Sequence, residues 1–330
     1  MQKKRFRMCA AAVVLAVTLR LLGGGIFTPF FQVLETPAAM SLLLYLQTGR
    51  VVRFRPDLLQ ETQPPPTQSV ETVPEEPDRP TFSGADLERI SVLYRCDYRP
   101  ELEPLLTAPF SWNLTGPEPS VLIVHTHATE SYEKQPGEDY EENDPYRTLD
   151  DRYNMVSVGD EVARVLEAGG ITVLHDRSYH DYPSYNGSYG NARVSIEEYL
   201  RRYPSIQMVL DIHRDASDGA DGSQLTTAGT VGGQPSAQLM VVVGTDATGN
   251  YHPHWQENLG TGLKLTALLE RQNPGITRPL TLRSERFNMD LTRASLLIEV
   301  GAAGDSHEQA MLAANALGQG ILALAQGSGL

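Results

Sequence analysis

Histidine and glutamate side chains directly follow apolar runs at three points of this 330-residue chain. The runs at residues 121–124, 208–212 and 296–298 lead respectively into His125, His127 and Glu130, into His213, and into Glu299. Such runs are typical of buried strands, and open α/β sheets carry their chemistry at the carboxyl ends of strands. Because imidazoles and carboxylates are common ligands of Zn²⁺, the pattern predicts a zinc site with a general base.

The sequence leaves a choice among the metal ligands, which are predicted to be His125 or His127, then Glu130, then His213. Side chains alternate along a strand, so the first two histidines are expected to point the same way. One histidine would bind the metal. The other would donate a hydrogen bond to a group around the metal or contact the oxyanion. The competing interpretation is a hydrogen-bonded histidine pair, with Glu130 as a helix cap and His213 as a core histidine.

Glu299 is the predicted general base, because a carboxylate within an apolar run is costly to bury unless it is paired or functional. It would take a proton from zinc-bound water and pass it to a leaving amine. Arg214 or the spare histidine would stabilise the oxyanion. The alternative is a buried ion pair of Glu299 with Arg214 or Arg293.

A tyrosine-rich segment, DYPSYNGSY at residues 181–189, supplies the predicted substrate contacts. Long ordered loops near strand ends often bind ligands. The candidates, which would stack on sugar rings or hydrogen-bond to peptide, are Tyr182, Tyr185, Asn186 and Tyr189. The alternative is a surface loop that packs on itself.

Strand and helix patterns alternate through the second part of the chain. Strands are expected at residues 121–124, 171–174, 206–212, 239–243 and 295–300, with an edge strand at 281–287, and helices at 155–168, 195–202, 255–272 and 305–325. This alternation predicts an α/β fold with a largely parallel, twisted sheet covered by helices on both faces.

The first 84 residues are predicted to lie outside that domain. Basic residues before the apolar stretch at 8–31 indicate a cytoplasmic tip and transmembrane signal anchor over residues 1–31, with a cleaved signal peptide as the alternative. Residues 32–84 are interpreted as a juxtamembrane segment and a Pro-rich disordered linker, and residues 85–330 as an extracytoplasmic domain. The expected location is therefore the cell membrane, with a single span.

Charge and cysteine content exclude two classes of protein. The formal net charge of −14 argues against a nucleic-acid surface, which relies on basic patches. Cys9 and Cys96 are the two cysteines, and neither belongs to a CxxC pair, which excludes a structural zinc finger.

Four ordered motifs resemble those of the stage II sporulation protein P family. They are HTHATESY at 125–132, DYPSYNGSY at 181–189, DIHRDA at 211–216 and LLIEVG at 296–301. That family is related to the zinc-dependent N-acetylmuramoyl-L-alanine amidases, so the resemblance implies an amidase-like fold and a Zn²⁺ cofactor. By position it makes His127 and His213 the ligand histidines, Glu130 the carboxylate ligand and Glu299 the catalytic glutamate.

The resemblance also implies a biological role. It suggests a peptidoglycan hydrolase that cuts the amide between muramic acid and L-alanine, with peptide cross-links as a second potential target, during septal wall remodelling and engulfment. The expected partners are a SpoIID-type lytic transglycosylase and a SpoIIM-type membrane protein. The alternatives are a catalytically silent, peptidoglycan-binding scaffold and an amidase of germination or cell separation.

Overall fold

The computed structural model describes residues 79–216 and 223–326, which belong to one compact unit. Eleven strands occur in these residues: β1 (Val92–Arg95), β2 (Val121–Val124), β3 (Glu142–Asp144), β4 (Arg147–Thr148), β5 (Val173–His175), β6 (Met208–Asp215), β7 (Gly229–Val231), β8 (Gln234–Ser236), β9 (Leu239–Val243), β10 (Leu280–Arg283) and β11 (Ala294–Ala302). Seven form one sheet in the order β1-β10-β9-β11-β6-β2-β5, and β3-β4 and β7-β8 form two small pairs.

Five α-helices connect the strands of the described part. They are α1 (Leu102–Thr107), α2 (Met155–Ala168), α3 (Ser188–Arg202), α4 (Trp255–Gln272) and α5 (His307–Gln326). Helix α2 begins where the Asn154 side chain accepts a hydrogen bond from the Val156 amide, and it ends at Gly169. The predicted bounds of α2 and α4 are confirmed, whereas α3 begins seven residues before its predicted start at 195.

The sheet consists of two parallel groups of strands. Strands β5, β2, β6 and β11 run in one direction, and β9, β10 and β1 run in the other, with β9 antiparallel to β11. The prediction of a mostly parallel α/β sheet is confirmed. The predicted edge strand at 281–287 is wrong in two respects: β10 ends at Arg283, and it lies inside the sheet because β1 pairs along its outer side.

Alternate side chains of the central strands enter opposite layers of the core, as the two-residue period of a strand requires. On one face, Ile123 and Leu210 pack in a large cluster with residues of α2, α4 and α5. On the other face, Leu122 and Val209 pack against Ile196 of α3. Helices therefore cover both faces of the sheet. Because both faces are buried, the sequences of the central strands are almost continuously apolar.

The prediction of a single-pass membrane location is contradicted. Among residues 79–216 and 223–326, no helix combines the length and the apolar character needed to cross a bilayer. The predicted anchor at residues 1–31 and the linker up to residue 78 lie outside the described residues.

Close packing of α2 on α5 predicts opposite effects for two glycine substitutions. A Cβ at Gly318 of α5 would lie 2.7 Å from the Cβ of Val165, whereas a Cβ at Gly190 of α3 would have no atom within 4 Å. Gly318→Ala should lower the free energy of unfolding by ~1–3 kcal/mol through overpacking. Gly190→Ala should leave it unchanged or raise it by up to ~1 kcal/mol, because alanine restricts the unfolded chain. Urea unfolding measures both, and equal losses would contradict this packing.

Candidate active site

Three neighbouring parallel strands deliver the predicted site residues to one edge of the sheet. Val124 at the end of β2 is opposite Asp211 of β6, and His213 of β6 is opposite Glu299 of β11. Because β2, β6 and β11 run in the same direction, the side chains at their carboxyl ends meet. The structure therefore brings together His127, Glu130, His213 and Glu299.

The two predicted ligand histidines are buried side by side. The ring centroids of His127 and His213 are 5.3 Å apart, with the ring planes nearly perpendicular. Burial lowers the pKa of His127, because the charged imidazolium loses its hydration. The Nδ1 atom of His127 lies 4.0 Å from a carboxylate oxygen of Asp181 and has no hydrogen-bond partner.

Glu130 is a buried carboxylate among three cationic or polar groups. Its oxygens lie 3.2 Å from Arg147, 3.7 Å from Arg214 and 3.6 Å from Nδ1 of His213. Burial acts to raise the pKa of Glu130, but Arg214 and His213 more than offset it and hold that pKa below its usual range. Glu130 is therefore ionised at neutral pH, as a metal ligand must be.

Asp211 is a site residue that was not singled out in the sequence. It accepts hydrogen bonds from the amide and hydroxyl of Thr126, at 2.8 and 2.6 Å. Its Oδ1 lies 2.9 Å from Nε2 of His213, and the two side chains form a buried ion pair when the ring is protonated. Burial acts to lower the pKa of His213, but Asp211 and Glu130 overcome it and raise that pKa well above 6.5. The sequence does contain a signal for Asp211, because an aspartate within an apolar run is unusual.

Glu299 has no ion-pair partner among the described residues, so neither arginine of the alternative interpretation pairs with it. Arg293 pairs with Glu257, and Arg214 donates to the carbonyl oxygens of Ser131 and Tyr146, both at 2.9 Å. The Oε2 atom of Glu299 is buried without a hydrogen-bond partner. Burial raises the pKa of Glu299 to about 8, so the carboxyl group can exchange a proton near neutral pH.

His125 has a different environment from His127. Its Nδ1 is 2.9 Å from the carbonyl oxygen of Ile212, and its Nε2 is 2.8 Å from Nε2 of His175, whose other nitrogen faces Asp160. Burial lowers the pKa of His125 to about 3, so the ring is neutral. Both ring nitrogens of His125 already have protein partners, and this geometry favours His127 as the ligand.

The tyrosine-rich segment reaches the histidines through two of its members. The Tyr185 ring stacks on His127 at 4.5 Å, and the Tyr189 ring lies between His127 at 5.6 Å and His213 at 6.4 Å. Burial, with the charges of Asp211 and Glu299, raises the pKa of the Tyr189 hydroxyl, which stays neutral. Tyr182 and Asn186 are exposed in the same segment.

Two further groups that contact residues of the site could not be found from spacing. Arg147 of β4 donates to Asp181 and Glu130 and lies over the Tyr185 ring at 4.9 Å. Phe287 and Asn288 follow β10 with φ angles of +52° and +59°. A left-handed backbone costs a residue other than glycine roughly 1–3 kcal/mol, and it persists only where the surroundings enforce it.

The site residues fit a Zn²⁺ ion in donor type. The described residues contain no group of three His, Cys, Asp or Glu side chains already arranged as a metal centre. However, two buried polar atoms without hydrogen-bond partners, His127 Nδ1 and Glu299 Oε2, belong to residues of this edge. Unpartnered buried polar atoms are costly in a folded protein, and a cation bound there would remove that cost.

The fold and these residues define a class of protein: a mostly parallel α/β domain with a buried histidine and carboxylate site at the carboxyl edge of its sheet. The family model described as stage II sporulation protein P (SpoIIP) matches residues 55–322. The chain therefore belongs to the stage II sporulation protein P family, and the resemblance seen in its motifs is confirmed.

Known proteins similar to this chain include one curated relative, the stage II sporulation protein P of Bacillus subtilis strain 168. The two are 29% identical over 214 residues, which is 61% of this chain and 50% of the relative. The chain therefore spans about half the length of that relative.

The solved structures similar to this chain resemble it only weakly. The CwlD amidase of Clostridioides difficile, in complex with the GerS lipoprotein, has a TM-score of 0.38 and 13% identity, covering 61% of this chain and 96% of that one. The N-acetylmuramyl-L-alanine amidase Ami1 of Mycobacterium smegmatis has a TM-score of 0.38 and 14% identity, covering 66% and 100%. Likenesses of this size carry no conclusion about the activity of this chain.

The raised pKa of Glu299 predicts a pH-dependent gain in stability when the carboxyl group is removed. The folded protein holds this proton up to about pH 8, whereas the unfolded chain releases it near ~4.3. The group therefore favours folding at low pH, and that contribution is lost as the pH rises through about 8. Glu299→Gln should match the wild type at pH 4 and exceed it at pH 9, by on the order of a few kcal/mol.

The measurement is urea unfolding of the metal-free protein at both pH values. Glu308→Gln, on the exposed side of α5, is the matched control and should show no pH-dependent difference. A Glu299→Gln effect of equal size at pH 4 and pH 9 would contradict the raised pKa.

Proposed function

We propose that this protein is a zinc-dependent peptidoglycan hydrolase that cleaves the amide bond between N-acetylmuramic acid and L-alanine. The observation that supports it most directly is the group His127, Glu130, His213 and Glu299 at one sheet edge, where one buried atom each of His127 and Glu299 has no hydrogen-bond partner. Membership of the stage II sporulation protein P family supports the substrate. Residues 85–330 are the proposed catalytic domain.

His127, Glu130 and His213 are the proposed metal ligands. When bound, Zn²⁺ would polarise the carbonyl group and lower the pKa of a water molecule toward ~7. Arg214 holds the Glu130 carboxylate ionised, and Arg147, 3.2 Å from it, fixes its direction. Asp211, anchored by Thr126, holds the His213 ring in place from the other side.

Glu299 is the proposed general base and then general acid. A carboxyl group with a pKa of about 8 exchanges a proton near neutral pH, which suits removal of a proton from the attacking water and its transfer to the departing amine. Arg214 is the proposed oxyanion donor. Because two of its nitrogens already donate to backbone carbonyls, its guanidinium is held rigidly near Glu130.

Tyr182, Tyr185, Asn186 and Tyr189 are the proposed substrate contacts. Tyr182 and Tyr185 are about half exposed, at 48% and 56%, which leaves aromatic surface for a sugar ring. Family membership alone supports a role in septal wall remodelling during engulfment, cleavage of peptide cross-links, and partnership with SpoIID-type and SpoIIM-type proteins.

The ligand assignment predicts selective loss of zinc. His127→Ala and His213→Ala should each lower the zinc content of the purified protein at least ~10-fold, because loss of one of three ligands removes a direct bond to the ion. His254→Ala is the control, since His254 pairs with Glu257 away from this edge. Metal content is measured by elemental analysis after dialysis. Full zinc content in both variants would rule out this site.

The proposed activity predicts a specific pattern of released fragments. The purified protein is incubated with peptidoglycan, with zinc or with a chelator, and the products are identified by mass spectrometry. Zinc-dependent release of free stem peptides and of glycan strands without peptides is the expected result. Release of uncrosslinked muropeptides alone would indicate an endopeptidase, and binding without release would indicate a silent scaffold.

Glu299→Gln should lower cleavage by about 10²–10⁴-fold while fold and zinc content stay unchanged, because the amide cannot accept the proton of the attacking water. Glu308→Gln should retain full activity. Full activity in the Glu299 variant would exclude the assigned base.

A further inference from the structure

The turn that follows β10 has a backbone conformation that its residues do not favour. Phe287 and Asn288 both have positive φ angles, +52° and +59°. Asparagine tolerates the left-handed region, but a bulky aromatic residue there is a genuine outlier. Among the described residues other than glycine, Tyr146 is the one further case. Such outliers concentrate at active sites and ligand contacts.

The end of β9 holds this turn in place. A Cβ at Gly244 would lie 2.3 Å from the carbonyl oxygen of Glu285 and 2.7 Å from that of Arg286, so a side chain at Gly244 would displace the turn. The Gly244 amide donates to the sulfur of Met289 at 3.1 Å, and Asn258 donates to the Met289 carbonyl at 2.9 Å. The surroundings therefore enforce the conformation.

Both residues of the turn contact Tyr189. The Asn288 side-chain amide donates to the Tyr189 carbonyl oxygen at 2.8 Å, and the Phe287 ring lies 5.7 Å from the Tyr189 ring. Tyr189 in turn lies against His127 and His213, at 5.6 and 6.4 Å between ring centroids. The turn thus fixes both the backbone and the ring of the tyrosine that faces the two histidines.

A purely structural explanation accounts for only part of this arrangement. Phe287 packs with Val242, Met289 and Leu297 in a small core cluster, which explains why an apolar residue is present. Packing does not require the left-handed backbone, and it does not explain the Asn288 hydrogen bond, which reaches across to α3.

We propose that the Phe287–Asn288 turn is a positioning element for Tyr189, and that Tyr189 contacts the scissile amide of the substrate with its hydroxyl group. Phe287 and Asn288 act through Tyr189 and are positioning residues. The contact between Tyr189 and the substrate rests on the proposed function. The positioning of Tyr189 by the turn concerns the protein alone.

The positioning of Tyr189 by the Phe287–Asn288 turn is tested first, without substrate. In protein labelled with ¹³C-tyrosine, the ring signal that is missing in Tyr189→Phe identifies Tyr189. In Asn288→Gly that signal should shift or broaden, while the melting temperature stays close to the wild-type value, because the left-handed backbone that glycine accepts offsets the lost hydrogen bond. Asn250→Gly, in an exposed loop, should leave the signal unchanged. An unchanged Tyr189 signal in Asn288→Gly would overturn the positioning role.

Catalysis is tested next with zinc-loaded protein and soluble muropeptide. Tyr189→Phe and Asn288→Gly should each lower kcat about 10-fold with KM within twofold, since a contact made only in the transition state affects kcat. The double variant should lose little more than Tyr189→Phe alone, because both changes act on one residue. Unchanged kcat in Tyr189→Phe, or fully additive losses, would overturn the inference. An inactive wild type would instead overturn the proposed function and the substrate contact, and the ring signal would still decide the positioning role.

Discussion

The burial of charged groups at the ends of apolar strands is the constraint on which this site depends. Glu130, Asp211 and Glu299 are carboxylates enclosed by a core of aliphatic strands, where an isolated charge costs several kcal/mol. The protein deals with each one differently. Arg214 and His213 hold Glu130 ionised, Thr126 and His213 hold Asp211 ionised, and Glu299 keeps its proton to about pH 8. At neutral pH, two of these three carboxylates are therefore ionised, whereas Glu299 holds a proton.

These differences divide the chemical roles. A carboxylate that remains ionised can bind a cation, and one that titrates near neutrality can transfer protons. The neutral ring of His127, whose Nδ1 has no hydrogen-bond partner, suits metal coordination. In contrast, His125 belongs to a separate chain through His175 to Asp160, which ties the ends of β2 and β6 together behind the site. Two histidines that are two residues apart thus have unrelated partners.

The rim of the site is built from segments far apart in sequence. Arg147 of β4 contacts Glu130, Asp181 and the Tyr185 ring, and the turn after β10 contacts Tyr189. Each of these segments is short and has no hydrophobic period of its own. Their conformations follow from the elements on which they pack, as the contact of Gly244 with the turn shows.

The sequence by itself determined the strands that carry the site, the bounds of α2 and α4, and the placement of His127, Glu130, His213 and Glu299 at a common edge. These features are local: apolar runs, helix terminators and the side-chain alternation of a strand are all properties of consecutive residues. Tertiary structure alone decided that β10 is interior, that His125 faces His175, that Arg214 binds carbonyl oxygens, and that Asp211, Arg147 and Asn288 belong to the site. Each of those facts is a contact between residues distant along the chain, and periodicity contains no information about which distant residues meet.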